Sequence, residues 1–255
     1  MNIVNLKLAV FVALLLCMAS AVAGPDAVQR KFALMSLIGN SLTVVTHRPN
    51  TGALTDQNTQ EIVDLPDAAF DRAALLAMDD ALRAADSNAS AIMISPSSAA
   101  LRTEQGRLLD GQRFVSFQAL DEVLNRAGAT HLMLVTKHRA ETALQTANFK
   151  TGSGMLEGLG FYIDRDKPLT RSDTGQRGIG FLAPYAYFKI SLVDLATSTV
   201  QKEQAVTATT TRSAARSKDS VDPWDALSPT QKTSILRGMI TREIARAVPA
   251  LIQSR

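Results

Sequence analysis

The sequence predicts an α/β (α+β) fold: a mixed β-sheet with two long hairpins and about three to four helices packed on it. Three observations carry this expectation. β-rich runs are broken by turn residues, two segments of helical period each lead into a short apolar run, and a well-capped amphipathic helix closes the chain.

Residues 31–38 and 41–48 are β-rich and joined through Gly39-Asn40, which predicts a hairpin. Pro49-Asn50-Thr51-Gly52 then reads as a loop, and residues 61–65 as a further short strand. Residues 67–85 predict a helix. Pro66 and Asp67 stand at its start, and Phe70, Ala74, Ala77, Met78, Ala81 and Leu82 recur at helical spacing. A short apolar strand, 91–95, follows and stops at Pro96. The pattern then returns: Ser116 can cap a helix carrying Leu120, Val123, Leu124 and Ala127. Gly128 fits the left-handed position beyond its end, and 130–136 is a nearly continuous apolar strand of the kind buried on both faces.

From 149 to 182 the chain becomes glycine-rich, with Gly152, Gly154, Gly158 and Gly160, then Gly175, Gly178 and Gly180. No regular period runs through it, and a connection of that length is usually functional or mobile. Its apolar residues leave two readings open: extra strands on the core, or an adaptable patch for a partner or membrane surface. On the second reading the partner-binding residues are Leu159, Phe161, Tyr162 and Phe181. A long hairpin follows, 185–195 and 199–211, turning at Ala196-Thr197-Ser198. Tyr187, Lys189 and Ser191 alternate there with Phe188, Ile190 and Leu192, which predicts one buried and one wet face. Residues 212–222 read as a linker or hairpin tip. In the last helix, Ser228 and Gln231 have capping-box spacing, Pro229 sits in the first turn, and Leu236, Ile240, Ile244, Val248 and Leu251 form a stripe. Trp224 is expected to pack against the start of that helix.

Residues 1–23 have the form of a secretory signal peptide. Lys7 precedes an apolar run from Leu8 to Met18, and Ala21-Val22-Ala23 before Gly24 is an A-x-A cleavage site. The run is too short for a spanning helix. The expectation is one domain from Gly24 to Arg255, periplasmic or secreted, with no stable membrane span after cleavage. The single cysteine, Cys17, falls inside the leader, so the mature chain has no disulfide or thiolate chemistry. Leu14-Leu15-Leu16 before Cys17 argues against lipid attachment. With 27 basic and 24 acidic residues the formal charge is +3, or +2 once Lys7 is removed, too little for a nucleic-acid binder.

Candidate chemistry is sparse. His131 and His138 bracket one predicted strand, too far apart to share a metal, and no zinc spacing involves His47; no metal and no cofactor are expected. Gly152-Ser153-Gly154 approaches, without its flanks, the sharp turn of a serine nucleophile, and a triad with a histidine and Asp164 or Asp166 can be drawn. Ser36 is a second candidate nucleophile. The bland reading of Ser153 is a flexible turn. The glycine pairs lack the strand-to-helix setting of a phosphate loop, and the acidic pairs Asp79-Asp80, Asp121-Glu122 and Asp164-Asp166 suit solvated surface.

The run from Tyr187 to Val200, with Val193-Asp194 before its turn, and the preceding Gly128-Ala129-Thr130-His131 resemble a group of periplasmic assembly proteins. That group includes the curli-secretion lipoprotein, outer-membrane activators of penicillin-binding proteins and the amino-terminal domain of TolB-type proteins. The resemblance covers about residues 114–211. Ser198 stands where the group usually has glycine, and no lipid-attachment cysteine is present. What it implies is an α/β scaffold used for protein contacts in the cell envelope, with no catalytic residues to carry over. The functional expectation is therefore an exported, non-catalytic binding or assembly protein whose partner is another envelope protein. The alternatives are an envelope hydrolase using Ser153 or Ser36 with a histidine, and a small-molecule binder with a pocket beneath the glycine-rich segment.

Overall fold

The computed structural model describes residues 30–49, 57–65, 68–96, 99–145, 150–170, 175, 177–213 and 222–253. The leader with its cleavage site, and Pro66 and Asp67, lie outside the described residues. The fold is α/β, a mixed parallel and antiparallel sheet with helices packed on it.

One strand organises the sheet. β12 (Arg177–Asp194) has 18 residues, about 60 Å of extended chain, so two neighbours can pair end to end along one of its edges. β11 (Met155–Thr170) pairs antiparallel with it as far as Tyr187, and β7 (His131–Lys137) takes over from Phe188 to Asp194. The opposite edge carries β13 (Thr199–Thr209) and β14 (Arg212–Ser213). The sheet therefore forks. One branch runs from β7 through β1 (Lys31–Ser36) to β4 (Ser90–Ile94), all parallel. The other runs from β11 through parallel β2 (Ser41–Thr46) to antiparallel β3 (Thr59–Asp64).

The expected hairpin at Gly39-Asn40 does not form. β1 and β2 lie in different branches, and the residues between them carry the chain across the fork. Neither Gly39 nor Asn40 has the positive φ that a two-residue hairpin turn demands. Glycine is needed at 39 for another reason: a Cβ there would lie 2.3 Å from the backbone nitrogen of Asp71, because the crossover rests on the first turn of α1 (Ala69–Ala85). Asp71 binds that crossover, accepting on Oδ1 from Ser36 Oγ (2.8 Å), Ile38 N (2.9 Å) and Gly39 N (2.9 Å). The two long hairpins are instead β12–β13, turning where predicted, and β11–β12.

The glycine-rich segment is thus the middle of the sheet. β11 and the first half of β12 occupy it, and both apolar faces of β11 are buried. Residues 99–114, which carry no clear periodicity, form the short α2 (Ala99–Thr103), a turn of 3-10 helix and the two-residue strands β5 (Leu109–Asp110) and β6 (Arg113–Phe114). The remaining helices among the described residues are α3 (Gln118–Ala127) and α4 (Pro229–Ile252). α3 ends as expected with Gly128 at φ 62°, but its N-cap is Phe117 with no side-chain cap rather than Ser116. α4 opens with the full capping box of Ser228 and Gln231.

Alternation along the strands divides the core. Phe32, Leu34, Met133, Leu159, Phe161 and Ile190 face α1 and α4 in one continuous cluster. On the other face, Ala33, Met35, Leu132 and Leu134 meet Leu120 and Leu124 of α3. Farther along that same face, Tyr162, Phe181, Tyr185 and Tyr187 are covered by Leu144 and Leu156 at a small flap built from β8 (Arg139–Glu141), β9 (Leu144–Gln145) and β10 (Lys150–Thr151). The second face therefore has two separate covers, with a gap between them.

Candidate functional site

The residues predicted to touch a partner are core. Leu159 and Phe161 are 1% exposed, and Tyr162 and Phe181 0%. Phe161 lies under α4, where Trp224 meets it edge to face at 5.6 Å. Tyr162 stacks on Phe181 at 6.2 Å beneath the flap. These side chains lie on the two covered faces of the β11–β12 pair, so no partner reaches them in the folded protein. Among the apolar residues of that segment, Ile179 stands out at 65% exposed.

Two of the candidate chemical residues do meet. Ser153 Oγ lies 3.3 Å from His47 Nδ1, although 106 residues separate them. The same nitrogen is also 3.0 Å from the Tyr162 hydroxyl and 3.3 Å from Asn58 Oδ1, while Asn58 Nδ2 donates to the Ser153 carbonyl at 2.8 Å. One ring nitrogen shared by three oxygens ties the Gly152–Gly154 turn to β2. No hydrogen bond among the described residues joins His47 to a carboxylate, the orienting contact a triad requires. Asp164 is occupied closing its own turn onto Asp166 N and Lys167 N. Ser36 is fully buried and donates to Asp71, which excludes it as a nucleophile. His131 packs on Phe32 at 5.3 Å, and burial lowers its pKa. Among the described residues no three His, Cys, Asp or Glu side chains converge as a metal site would need.

The third histidine, His138, lines a cleft of about 650 Å³ in the gap between the two covers. The cleft opens at the carboxyl ends of β1 and β7, the place where the strands of an open α/β sheet diverge and ligands are usually received. Its floor is polar. Ser41 is 7% exposed and Thr136 5%, and the neighbouring Ser191 is fully buried, its hydroxyl donating to Glu203 at 2.9 Å. The face of β12 expected to be wet is therefore buried except near Lys189, which pairs with Glu203 at 2.9 Å. Asn40 borders the cleft with a buried Oδ1 that has no hydrogen-bond partner among the described residues.

Lys137, the last residue of β7, crosses this floor. Its stem runs over Gly158, where a Cβ would come within 3.1 Å of Lys137 Cδ, and its Nζ donates to Ser41 Oγ at 3.0 Å. Burial pushes its pKa below the ordinary lysine value, against an opposing pull from the carboxylates of Glu157, Asp71 and Asp64. Arg102 and Arg139 add positive charge to the walls, and Asp64 and Glu157 add negative charge. Gln105 fixes the end of β7 by accepting from Lys137 N at 2.8 Å. A second groove, about 570 Å³ between β13 and α4, has its ions paired across Arg242, Glu243 and Arg246. Among the cleft residues, His138 alone is a candidate for chemistry in the sequence. Lys189 and Ser191 were visible as polar breaks on one face of β12, but Lys137 becomes a floor residue through the fork, which no local pattern announces.

No helix among the described residues is long and apolar enough to cross a membrane. No family model matches the chain, and no curated protein matches it. Among solved structures it is similar to a PelC dodecamer from Paraburkholderia phytofirmans, at 14% identity over 91% of this chain and 95% of that one, with a TM-score of 0.30. It is also similar to the hypothetical protein CT253 from Chlamydia trachomatis, at 12% identity over 89% of this chain and 99% of that one, with a TM-score of 0.33.

Proposed function

We propose that this chain is an exported binding or assembly protein of the cell envelope, without catalytic chemistry of its own, and that its ligand seats in the cleft between the two covers. The observation that carries the reading is the polar floor. A sheet face that is apolar on either side of the gap turns to serine, threonine and lysine beneath it, where leucine or valine would pack. The cleft has the volume of small-ligand pockets, about 300–1,000 Å³, and like them converges a few placed polar groups, but its lining is more polar than the mostly apolar walls such pockets usually have. A thermal-shift screen of the mature protein against a metabolite library tests it, since a ligand at about 100 times its Kd adds about 2.7 kcal/mol to apparent stability. The reading requires hits whose shift disappears in Lys137→Met; hits indifferent to that change, or none, would refute it. Amino-terminal sequencing of protein from the envelope fraction tests export, with Gly24 as the expected first residue and an intact Met1 in the cytosol as the contrary result.

Another envelope protein, as the partner, would meet the outer surface rather than the segment around Leu159, which is interior. Crosslinking in intact cells addresses it. The serine-hydrolase alternative has one observation in its favour, the contact between Ser153 and His47. Ester, phosphate and glycoside hydrolysis that vanishes in both Ser153→Ala and His47→Ala would establish it, and activity indifferent to either change would remove it.

A further inference from the structure

We infer that the cleft takes a small zwitterion, its carboxylate or phosphate inward on Lys137 and its ammonium outward between Glu157 and Asp64. The inference rests on the cleft being the ligand site and concerns what fits it. The charges sort by commitment and by depth. Arg102 is committed, its Nε 3.4 Å from Asp71 Oδ2 with the guanidinium side chain only 12% exposed. Lys189 is committed to Glu203. What remains at the cleft is Lys137 and Arg139 on the positive side, Glu157 and Asp64 on the negative side, and His138.

Depth then sets the polarity. Lys137 is half-buried, held by the glycine beneath its stem and by Ser41, and no carboxylate among the described residues lies within ion-pair distance of its Nζ. A lysine that lacked a task would extend its ammonium into water; this one is directed across the floor of a cavity, where an unpaired charge is costly. An incoming oxyanion supplies the missing partner. Glu157 and Asp64 line the same cleft and are both exposed, whereas Lys137 is half-buried. Glu157 stands opposite Arg139 in the β8–β11 register, so Arg139 is partly balanced there, while Asp64 stands opposite Ser41. A polyanion would face two exposed carboxylates as well as Lys137, and a polycation would bring its charge against Lys137 itself. A molecule with both signs, spaced as in an α-amino acid or the end of a short peptide, satisfies inner and outer groups together.

Isothermal titration of the mature protein with L-alanine, L-glutamate, L-lysine and alanyl-alanine tests this, with alaninamide and propionate as controls for the missing carboxylate and the missing ammonium. At least one zwitterion binds, Lys137→Met weakens it by about tenfold or more, as loss of a charged hydrogen bond does, and Glu157→Gln, an exposed change that leaves the core untouched, weakens it several-fold. Alaninamide binding as well as alanine, propionate binding as well as alanine, or no zwitterion binding at all would each overturn the inference. If metabolite-screen hits that are not zwitterions still depend on Lys137, the cleft remains the ligand site and only the ligand class falls; if nothing depends on Lys137, both fall.

Discussion

Truncation of Phe161 to alanine distinguishes a core strand from a contact surface by magnitude alone. The ring is 1% exposed, sits among the apolar residues beneath α1 and α4, and meets Trp224 at an interplanar angle of 84°. Removing a buried phenylalanine costs about 3–5 kcal/mol, of which the aromatic pair accounts for roughly 0.5–1.5 kcal/mol. Typical domains have about 5–15 kcal/mol in total, so the loss is a large share. With a urea slope of about 2 kcal/mol/M, the unfolding midpoint should fall by roughly 1.5–2.5 M. Trp224, the sole tryptophan, reports the transition by fluorescence; because it touches the altered ring, circular dichroism is followed in parallel. A loss below about 1 kcal/mol, less than any fully buried aromatic should show, would mean that the ring is not core and would return Phe161 to the surface.

Three other changes follow from the same packing. Gly160→Ala would place a Cβ 1.9 Å from the Thr43 carbonyl and 2.6 Å from the Tyr185 hydroxyl, so the β2–β11 ladder must part, at a cost of about 1–3 kcal/mol or more; an unchanged melting temperature by calorimetry would contradict it. Ser198 holds φ 53° at the β12–β13 turn, so Ser198→Gly relieves about 1–2 kcal/mol of left-handed strain against a smaller glycine entropy term, for a net gain near 0.5–1 kcal/mol in denaturant titrations; a loss would refute it. Lys137 carries a lowered pKa, chiefly through burial, so the unfolded chain binds its proton more tightly than the folded one. Wild-type stability therefore rises as pH climbs through the folded pKa toward the ordinary lysine value. Lys137→Met lacks that rise and should be the more stable protein near neutrality, with the gap closing toward about pH 10; parallel pH profiles of melting temperature would refute it.

Much of the fold was written locally. The helix over 69–85 announced itself by its apolar stripe, the one over 229–252 by stripe and cap, and Ala196-Thr197-Ser198 marked the β12–β13 turn, because these signals lie within a few residues of one another. The segment from 149 to 182 was harder. Its glycines suggest a loop, whereas they serve close approach: Gly160 lies against the Thr43 carbonyl and the Tyr185 ring, and Gly180 against Pro223 and the Asp164 carbonyl. Leu159, Phe161 and Ile163 alternate with Gly160 and Tyr162 at strand period, but a missing side chain on the second face hides the pattern. Gly39-Asn40 looked like a hairpin because two β-runs flank it, and only the contact with Asp71 shows a crossover. α2, β5 and β6 are too short to carry a period, and tertiary burial of Leu108 and Phe114 holds that region.

The cleft was illegible for a stronger reason. Lys137 and Ser41 are 96 positions apart and meet only because β7 and β11 share one edge of a single long strand. Where they meet, the chain departs from the rule that governs the rest of the sheet. An apolar residue at 137 would avoid a desolvated ammonium, and apolar residues at 41 and 136 would join the clusters on either side into one core. Sequences consistent at every level except one place usually break the rule where something binds. On the proposed reading, the stability gained by Lys137→Met and the binding lost by it are two readouts of one arrangement, and a variant that gained stability while keeping its ligand would separate them.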